Sequence, residues 1–175
     1  MTSLSESCVA ATEFRHVMRG WATGVAVVTS ALGDQPSGCT VNTFVSVSLA
    51  PPLLLVSLAH DGNTLATIRT RGRFAVNVLA WRQRQLATRF AHTKHTKHNQ
   101  HNQHDSDDRF RDVPYRFAHG VPVIGDVTAA MVCALTELVP VADHVLVLGQ
   151  PLWCERKGPA DPVLFLDGRY QRAGQ

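Results

Sequence analysis

The chain has 175 residues, 45% of them hydrophobic, which is enough apolar material for one globular domain with a substantial core. Its formal net charge of +3 is mild and spread along the sequence. The densest basic group, Arg69, Arg71 and Arg73 with Arg82, Arg84 and Arg89 after it, lacks the size and interleaved aromatics of a nucleic-acid footprint and reads as a solvated face.

Residues 1–11 read as a flexible Ser/Thr-rich tail without the charged-then-apolar pattern of a targeting peptide. From Thr12, placed to act as an N-cap, Phe14, Val17, Met18 and Trp21 recur at the spacing of one helix face. This predicts a helix whose apolar side, Trp21 included, faces the core. A strand is predicted over 25–31, and Gly33-Asp34-Gln35-Pro36 turns it into a hairpin.

From Val41 to Leu49 the pattern has period two. Val41, Thr43, Val45, Val47 and Leu49 fall on one face, and Asn42, Phe44, Ser46 and Ser48 on the other. One continuous strand with an apolar core face is expected. Its second face carries hydroxyls and an amide but no charge, a surface that can hydrogen-bond a flat, polar-edged ligand close to the backbone. The plainer alternative is a half-exposed barrel strand.

After Pro51-Pro52 comes a buried strand over 53–58, and Asn63 and Thr64 then open a short helix carrying Leu65 and Ile68 that ends at Gly72. A strand over 74–79 and a third helix over 81–90 follow, and later strands cover about 129–139, 145–153 and 163–166. Hairpins and brief helices, without repeated β-helix-β spacing, predict a mainly β domain: a closed or partly closed antiparallel barrel.

Between Ala91 and Arg109 the composition changes: triplets beginning at His92, His95, His98 and His101 lead into His104-Asp105-Ser106-Asp107-Asp108. With almost nothing apolar to bury, this low-complexity insertion at about 92–107 is expected to be a surface loop. Histidine tracts bind divalent metals, but tight sites need fixed geometry, so no metal site is assigned. Cys8, Cys39, Cys133 and Cys154 form no Cys-x-x-Cys pair, which fits a reduced, cytoplasmic setting, with Cys133 a small core residue. No apolar run is long enough to span a bilayer. No Gly-x-Gly-x-x-Gly follows a strand and there is no Walker loop, so a Rossmann or P-loop nucleotide domain is not supported.

Gly38-x-Thr40-x-x-Thr43-x-x-Ser46-x-Ser48-x-x-Pro51-Pro52 resembles the signature of the flavin reductase family, whose fold is the FMN-binding split barrel. Further pieces of that pattern follow in order. They are Ala22-Thr23-Gly24-Val25-Ala26-Val27-Val28-Thr29, Arg73-Phe74-Ala75-Val76-Asn77-Val78-Leu79, Arg89-Phe90-Ala91, Asp108-Arg109-Phe110, Asp143-His144 and Leu164-Phe165-Leu166-Asp167-Gly168-Arg169-Tyr170. The resemblance implies one reductase domain over 12–172, interrupted by the histidine insertion.

It also implies a site. The isoalloxazine ring of FMN or FAD is expected along Thr40, Val41, Asn42, Thr43, Ser46, Val47 and Ser48, whose donors would face its polar edge. Asn63 and Thr64, at a helix start with free N–H groups, are the expected phosphate site, and Arg89 beside Phe90 offers a charge-assisted contact. Their plainer roles are an N-cap for Asn63 and a surface residue for Arg89. His144 is expected to hold the carboxamide of NADH or NADPH over the flavin, a positioning role before an acid one. The plainer account of His144 is a structural hydrogen bond at a strand start. The family commonly has Gly-Asp-His where this chain has Ala142-Asp143-His144, which bears on the turn before the histidine. Tyr170 is expected to border the same pocket. Arg69, Arg71 and Arg73 are candidates for a 2′-phosphate site.

By this resemblance the chain is an NAD(P)H:flavin oxidoreductase and a homodimer, handing diffusible reduced flavin to a partner monooxygenase. A flavoprotein with tightly held FMN, acting as an oxidase or diaphorase, is one alternative. A non-enzymatic flavin- or metal-binding protein is the other.

Overall fold

In the computed structural model, which describes residues 8–91, 107–157 and 161–174, helix α1 (Ala11–Met18) leads through strand β1 (Thr23–Gly24) into the hairpin β2 (Ala26–Leu32) and β3 (Gln35–Val41). A second hairpin, β4 (Phe44–Leu49) and β5 (Pro52–Ala59), begins after Asn42 and Thr43 and is followed by α2 (Asn63–Arg71), β6 (Arg73–Val78) and α3 (Arg84–Ala91). Three more hairpins complete the chain: β7 (Tyr115–Ala118) with β8 (Val121–Ile124), β9 (Ala129–Val141) with β10 (His144–Arg156), and β11 (Val163–Leu166) with β12 (Arg169–Arg172). The histidine triplets lie outside the described residues.

The main sheet is antiparallel, in the order β3-β2-β6-β9-β10-β5-β4. Its edge strands β3 and β4 are joined through Asn42 and Thr43 alone, and β3 also touches β5, so the sheet must curl until its edges approach. The result is the predicted mainly β barrel, open along one seam.

Apolar residues on both faces of β2 explain its unbroken hydrophobic run. Ala26 and Val28 enter a core built from β2, β3, β5, β6, β9, β10 and α2, where Phe74, Val76, Leu65 and Ile68 are all fully buried. Val25 and Val27 face a second core roofed by α3 and the β7–β8 hairpin, with Phe90, Phe110 and Val121. Two glycines permit this packing. A Cβ on Gly149, beside a register shift in β10, would come 2.5 Å from the Phe74 ring. One on Gly38, which opens the signature, would press on Phe90 and Phe110 at 3.1 and 3.2 Å.

Several expectations are corrected. The single strand over 41–49 is cut in two: β3 pairs with β2, β4 pairs with β5, and a bulge at Val47 shifts the register again. Only Val41 of its apolar face reaches the core, while Val45, Val47 and Leu49 are 51%, 51% and 84% exposed because β4 is an uncovered edge. Helix α1 starts at Ala11, after Ala10 at the N-cap position, so Thr12 lies inside it rather than capping it. It ends at Met18, before Trp21, and its apolar stripe faces outward: Phe14 is 62% exposed and Val17 68%, and Trp21 beyond the helix is 68% exposed, against the expectation of core contacts. Residues 81–91 divide into a 3-10 turn, Trp81–Gln83, and α3.

Candidate active site

The end of β5 is where the predicted residues gather. Ala59 pairs with His144 at the start of β10, and the Ser57 N–H donates to the Thr43 carbonyl at 3.4 Å, bringing the β3–β4 corner alongside. The His60 N–H donates to the Asp143 carbonyl at 3.0 Å, and the Gly62 N–H to that of Ala59 at 3.1 Å, so the chain turns tightly into α2. Asn42, Thr43, Asn63, Thr64 and His144 thus surround one end of one strand. Asn42 and Thr43 are exposed, as the cut between β3 and β4 requires.

Helix α2 begins without a side-chain cap: Gly62 holds the N-cap position and Asn63 is the first helical residue, not the cap. Its first helical bond is from the Ala66 N–H to the Gly62 carbonyl at 3.1 Å, leaving the N–H groups of Asn63, Thr64 and Leu65 for an outside acceptor. The Thr64 side chain is committed inward, its hydroxyl 3.1 Å from that of Ser37 and hydrogen-bonded to the Cys39 thiol. Burial pushes that thiol up to about 11, so Cys39 stays protonated and serves as a small polar filler rather than a nucleophile.

Other predicted residues stand elsewhere. Thr40 donates to the Ala87 carbonyl at 2.7 Å and ties β3 to α3, while Val41 is 6% exposed in the core. Ser46, Val47 and Ser48 run down β4 opposite Leu54 and Leu53, away from the His144 end, and Ser48 Oγ accepts from the Ala50 N–H at 3.3 Å. Arg89 donates to the Arg111 carbonyl at 2.8 Å. Phe90 is 1% exposed, edge-on to Phe110 at 4.9 Å, with no face left for a ligand. Tyr170 belongs to the separate β1-β11-β12 sheet, 5.7 Å from the Phe165 ring, and burial raises its hydroxyl pKa. In the same small sheet, Thr23 Oγ1 is buried without a hydrogen-bond partner among the described residues.

Two of the clustered arginines, Arg71 and Arg73, are engaged at the opposite end of α2. Arg73 donates to the His119 carbonyl at 3.3 Å, and the Arg71 guanidinium covers Gly120 in the β7–β8 turn. Arg109 is the cation that sequence reasoning left without a role. Only 17% exposed, it is held by Asp107 with Nε–Oδ1 at 2.7 Å, and its charge reaches Cys39 next to Thr64. Ser57 and His60 were equally unmarked, because an apolar run and a following polar residue reveal nothing about strand ends.

His144 follows a two-residue hairpin loop in which Ala142 has φ +51°, the left-handed region glycine would fill at lower cost. The turn survives the alanine. His144 Nδ1 lies 2.8 Å from Asp143 Oδ1, and that hydrogen bond holds the Asp143 carboxyl below its ordinary pKa. The donor set as a whole is uncharged hydroxyl, amide and backbone N–H, with an uncapped helix start beside it. That chemistry fits a flat, polar-edged group bearing a phosphate. A cleft of about 270 Å³ between the β7–β8 hairpin and the far end of β10, lined by Tyr115, Arg116, Glu155 and Lys157 among others, contains none of these residues.

Residues 18–174 match the family model described as flavin reductase like domain. A Rhizobium meliloti protein named "Probable flavin reductase" is 36% identical over 146 residues, covering 82% of this chain; the chain spans 43% of that longer relative. An NADH-dependent FAD reductase of Streptomyces globisporus is 33% identical over 163 residues, covering 91% of this chain and 84% of the relative. Among solved structures, BorF, the flavin reductase component of a bacterial two-component tryptophan halogenase, superposes with a TM-score of 0.79. It is 30% identical, and the match covers 93% of this chain and 98% of that one.

Proposed function

The chain belongs to the flavin reductase family, and we propose that it is an NAD(P)H:flavin oxidoreductase supplying reduced FMN or FAD to a separate monooxygenase. The observation that carries this is the meeting of Asn42, Thr43, the uncapped start of α2 and His144 around the end of β5. The relative named an NADH-dependent FAD reductase supports the reaction, and the halogenase reductase component supports a flavin-using partner enzyme. Arg71 and Arg73 are occupied at the β7–β8 turn, which favours NADH over its 2′-phosphorylated counterpart.

Flavin, when bound, supplies the acceptor for the nicotinamide's hydride. The protein's own part is positioning and electrostatics. The N–H groups of Asn63, Thr64 and Leu65 would receive the phosphate at the positive end of α2, and the part-buried Arg109 adds a positive charge that reaches Cys39 beside Thr64. Asn42 and Thr43 offer hydrogen bonds at the barrel's seam, and Thr40 supports them by fixing β3 to α3. His144 orients the nicotinamide carboxamide from the strand beside β5. The side chains of Asn42, Thr43 and Asn63 at this end of the barrel are neutral and exposed, which suits a flavin that must leave after reduction. After desalting, the protein is expected to emerge colourless and to consume NADH only on addition of flavin, with a rate that saturates. Retained yellow colour, with a rate indifferent to added flavin, would support a tightly bound flavoprotein instead.

We also infer a homodimer working in the cytoplasm. No helix among the described residues is long and apolar enough to cross a membrane. Val45, Val47 and Leu49 of β4, Phe14 and Val17 of α1, and Trp21 just beyond that helix expose more large apolar side chains than a lone domain ordinarily shows. A second copy covering them is the reading offered. Light scattering is expected to return twice the chain mass, and Val47→Glu to shift it toward one; a wild-type monomer at working concentration removes the dimer.

A further inference from the structure

We propose that Asp143 is a positioning residue for His144, its carboxylate accepting a hydrogen bond from Nδ1–H so that Nε2 is the ring atom presented to the nicotinamide carboxamide. This rests on the reading of His144 given above. The geometry that supports it is local and redundant. The backbone of His144 pairs with Val141 on one side and Ala59 on the other, and the Asp143 carbonyl accepts from the His60 N–H at 3.0 Å. The hairpin is therefore fixed to the end of β5 and, through it, to the start of α2.

What the backbone pairing does not fix is the imidazole ring itself, which is 47% exposed. Among the described residues, the side-chain hydrogen bond to the ring is the 2.8 Å approach of Asp143 Oδ1 to Nδ1. An ionised carboxylate only accepts, so the ring must place a proton on Nδ1, and in the neutral ring Nε2 then carries the lone pair. An acceptor at Nε2 matches the N–H₂ of a carboxamide; a ring free to exchange tautomers offers it only part of the time. Other titratable groups near the histidine are His60 and Asp61, at the end of β5 that runs into α2. With the Asp143 side chain 91% exposed, its effect is orientation rather than fold stability.

The test joins heteronuclear NMR of the ring nitrogens in the free protein to steady-state kinetics. In the neutral ring, wild type is expected to show His144 protonated on Nδ1, Asp143→Asn to keep that tautomer through its amide oxygen, and Asp143→Ala to lose it. Asp143→Ala is expected to raise the KM for NADH about fivefold, the scale of one hydrogen bond, with kcat unchanged. In a His144→Ala background the same replacement should do nothing. An Nε2-protonated wild-type ring, or an equal effect of Asp143→Ala in both backgrounds, overturns the proposal. A His144→Ala enzyme with unaltered KM for NADH overturns instead the nicotinamide role beneath it. The NMR result separates the two failures, since it reports the Asp143–His144 bond without any turnover.

Discussion

Asn77→Leu is expected to cost about 4 kcal/mol of stability, read as a lower denaturant midpoint with an unchanged slope. The side chain is fully buried, and every polar atom it has is used. Its Nδ2 donates to the Val27 carbonyl at 2.9 Å and to Thr29 Oγ1 at 3.1 Å, and its Oδ1 accepts from the Ile124 N–H at 2.9 Å. Thr29 Oγ1 in turn donates a hydrogen bond to the Pro122 carbonyl. One amide therefore joins β6 to β2 and clasps the β7–β8 hairpin over the second core. Leucine conserves the volume but strands the Ile124 N–H away from water, which alone costs roughly 1–3 kcal/mol, and loosens the Thr29 hydroxyl. A change below 1 kcal/mol would show that the hairpin is held by apolar contacts instead. Asn77 lies within Arg73–Leu79, one of the pieces that carried the family resemblance. The fold gives it a reason to be there that has nothing to do with a ligand.

His144→Ala carries the second large effect, this time on turnover. If His144 holds the nicotinamide, kcat/KM for NADH should fall about a hundredfold, some 2.7 kcal/mol, while the KM for flavin stays near its wild-type value. His144→Gln, which keeps an acceptor and a donor on a longer arm, should restore part of the loss. An equal rise in the flavin KM would move His144 to the flavin, and a loss below threefold would leave it a structural residue at a strand start. The replacement is safe for folding, since the side chain is exposed and its main-chain pairing with Ala59 does not depend on it.

Local signals made much of this legible. Hairpin turns, the unbroken apolar runs of β2 and β5, and the short helix opened by Asn63 are encoded by neighbours in sequence, and each falls where the pattern puts it. The period-two run from Val41 to Leu49 misled because alternation reports which side chains share a face, not which partner strand covers them. The chain leaves one edge of the sheet and joins the other at Asn42–Thr43, and only the curl of the whole barrel requires that break. Helix α1 failed for a related reason: an amphipathic stripe says that something covers it, not that this chain does. Phe90 sat beside Arg89 in a motif suggestive of binding, yet its ring fills the space that Gly38 leaves open. The meeting of His144 with Asn63 depends on β10 pairing with β5, about 85 residues apart in the chain, a long-range register that no local pattern records.

The most direct test of the reductase account is an oxygen-free mixture of NADH, a large excess of FMN or FAD, and a catalytic amount of the protein, followed at the flavin's visible absorption band. The account predicts that the whole flavin pool bleaches, many flavins for each protein molecule, at a rate proportional to protein. Bleaching that stops at one flavin per chain, or none above the protein-free control, would contradict it.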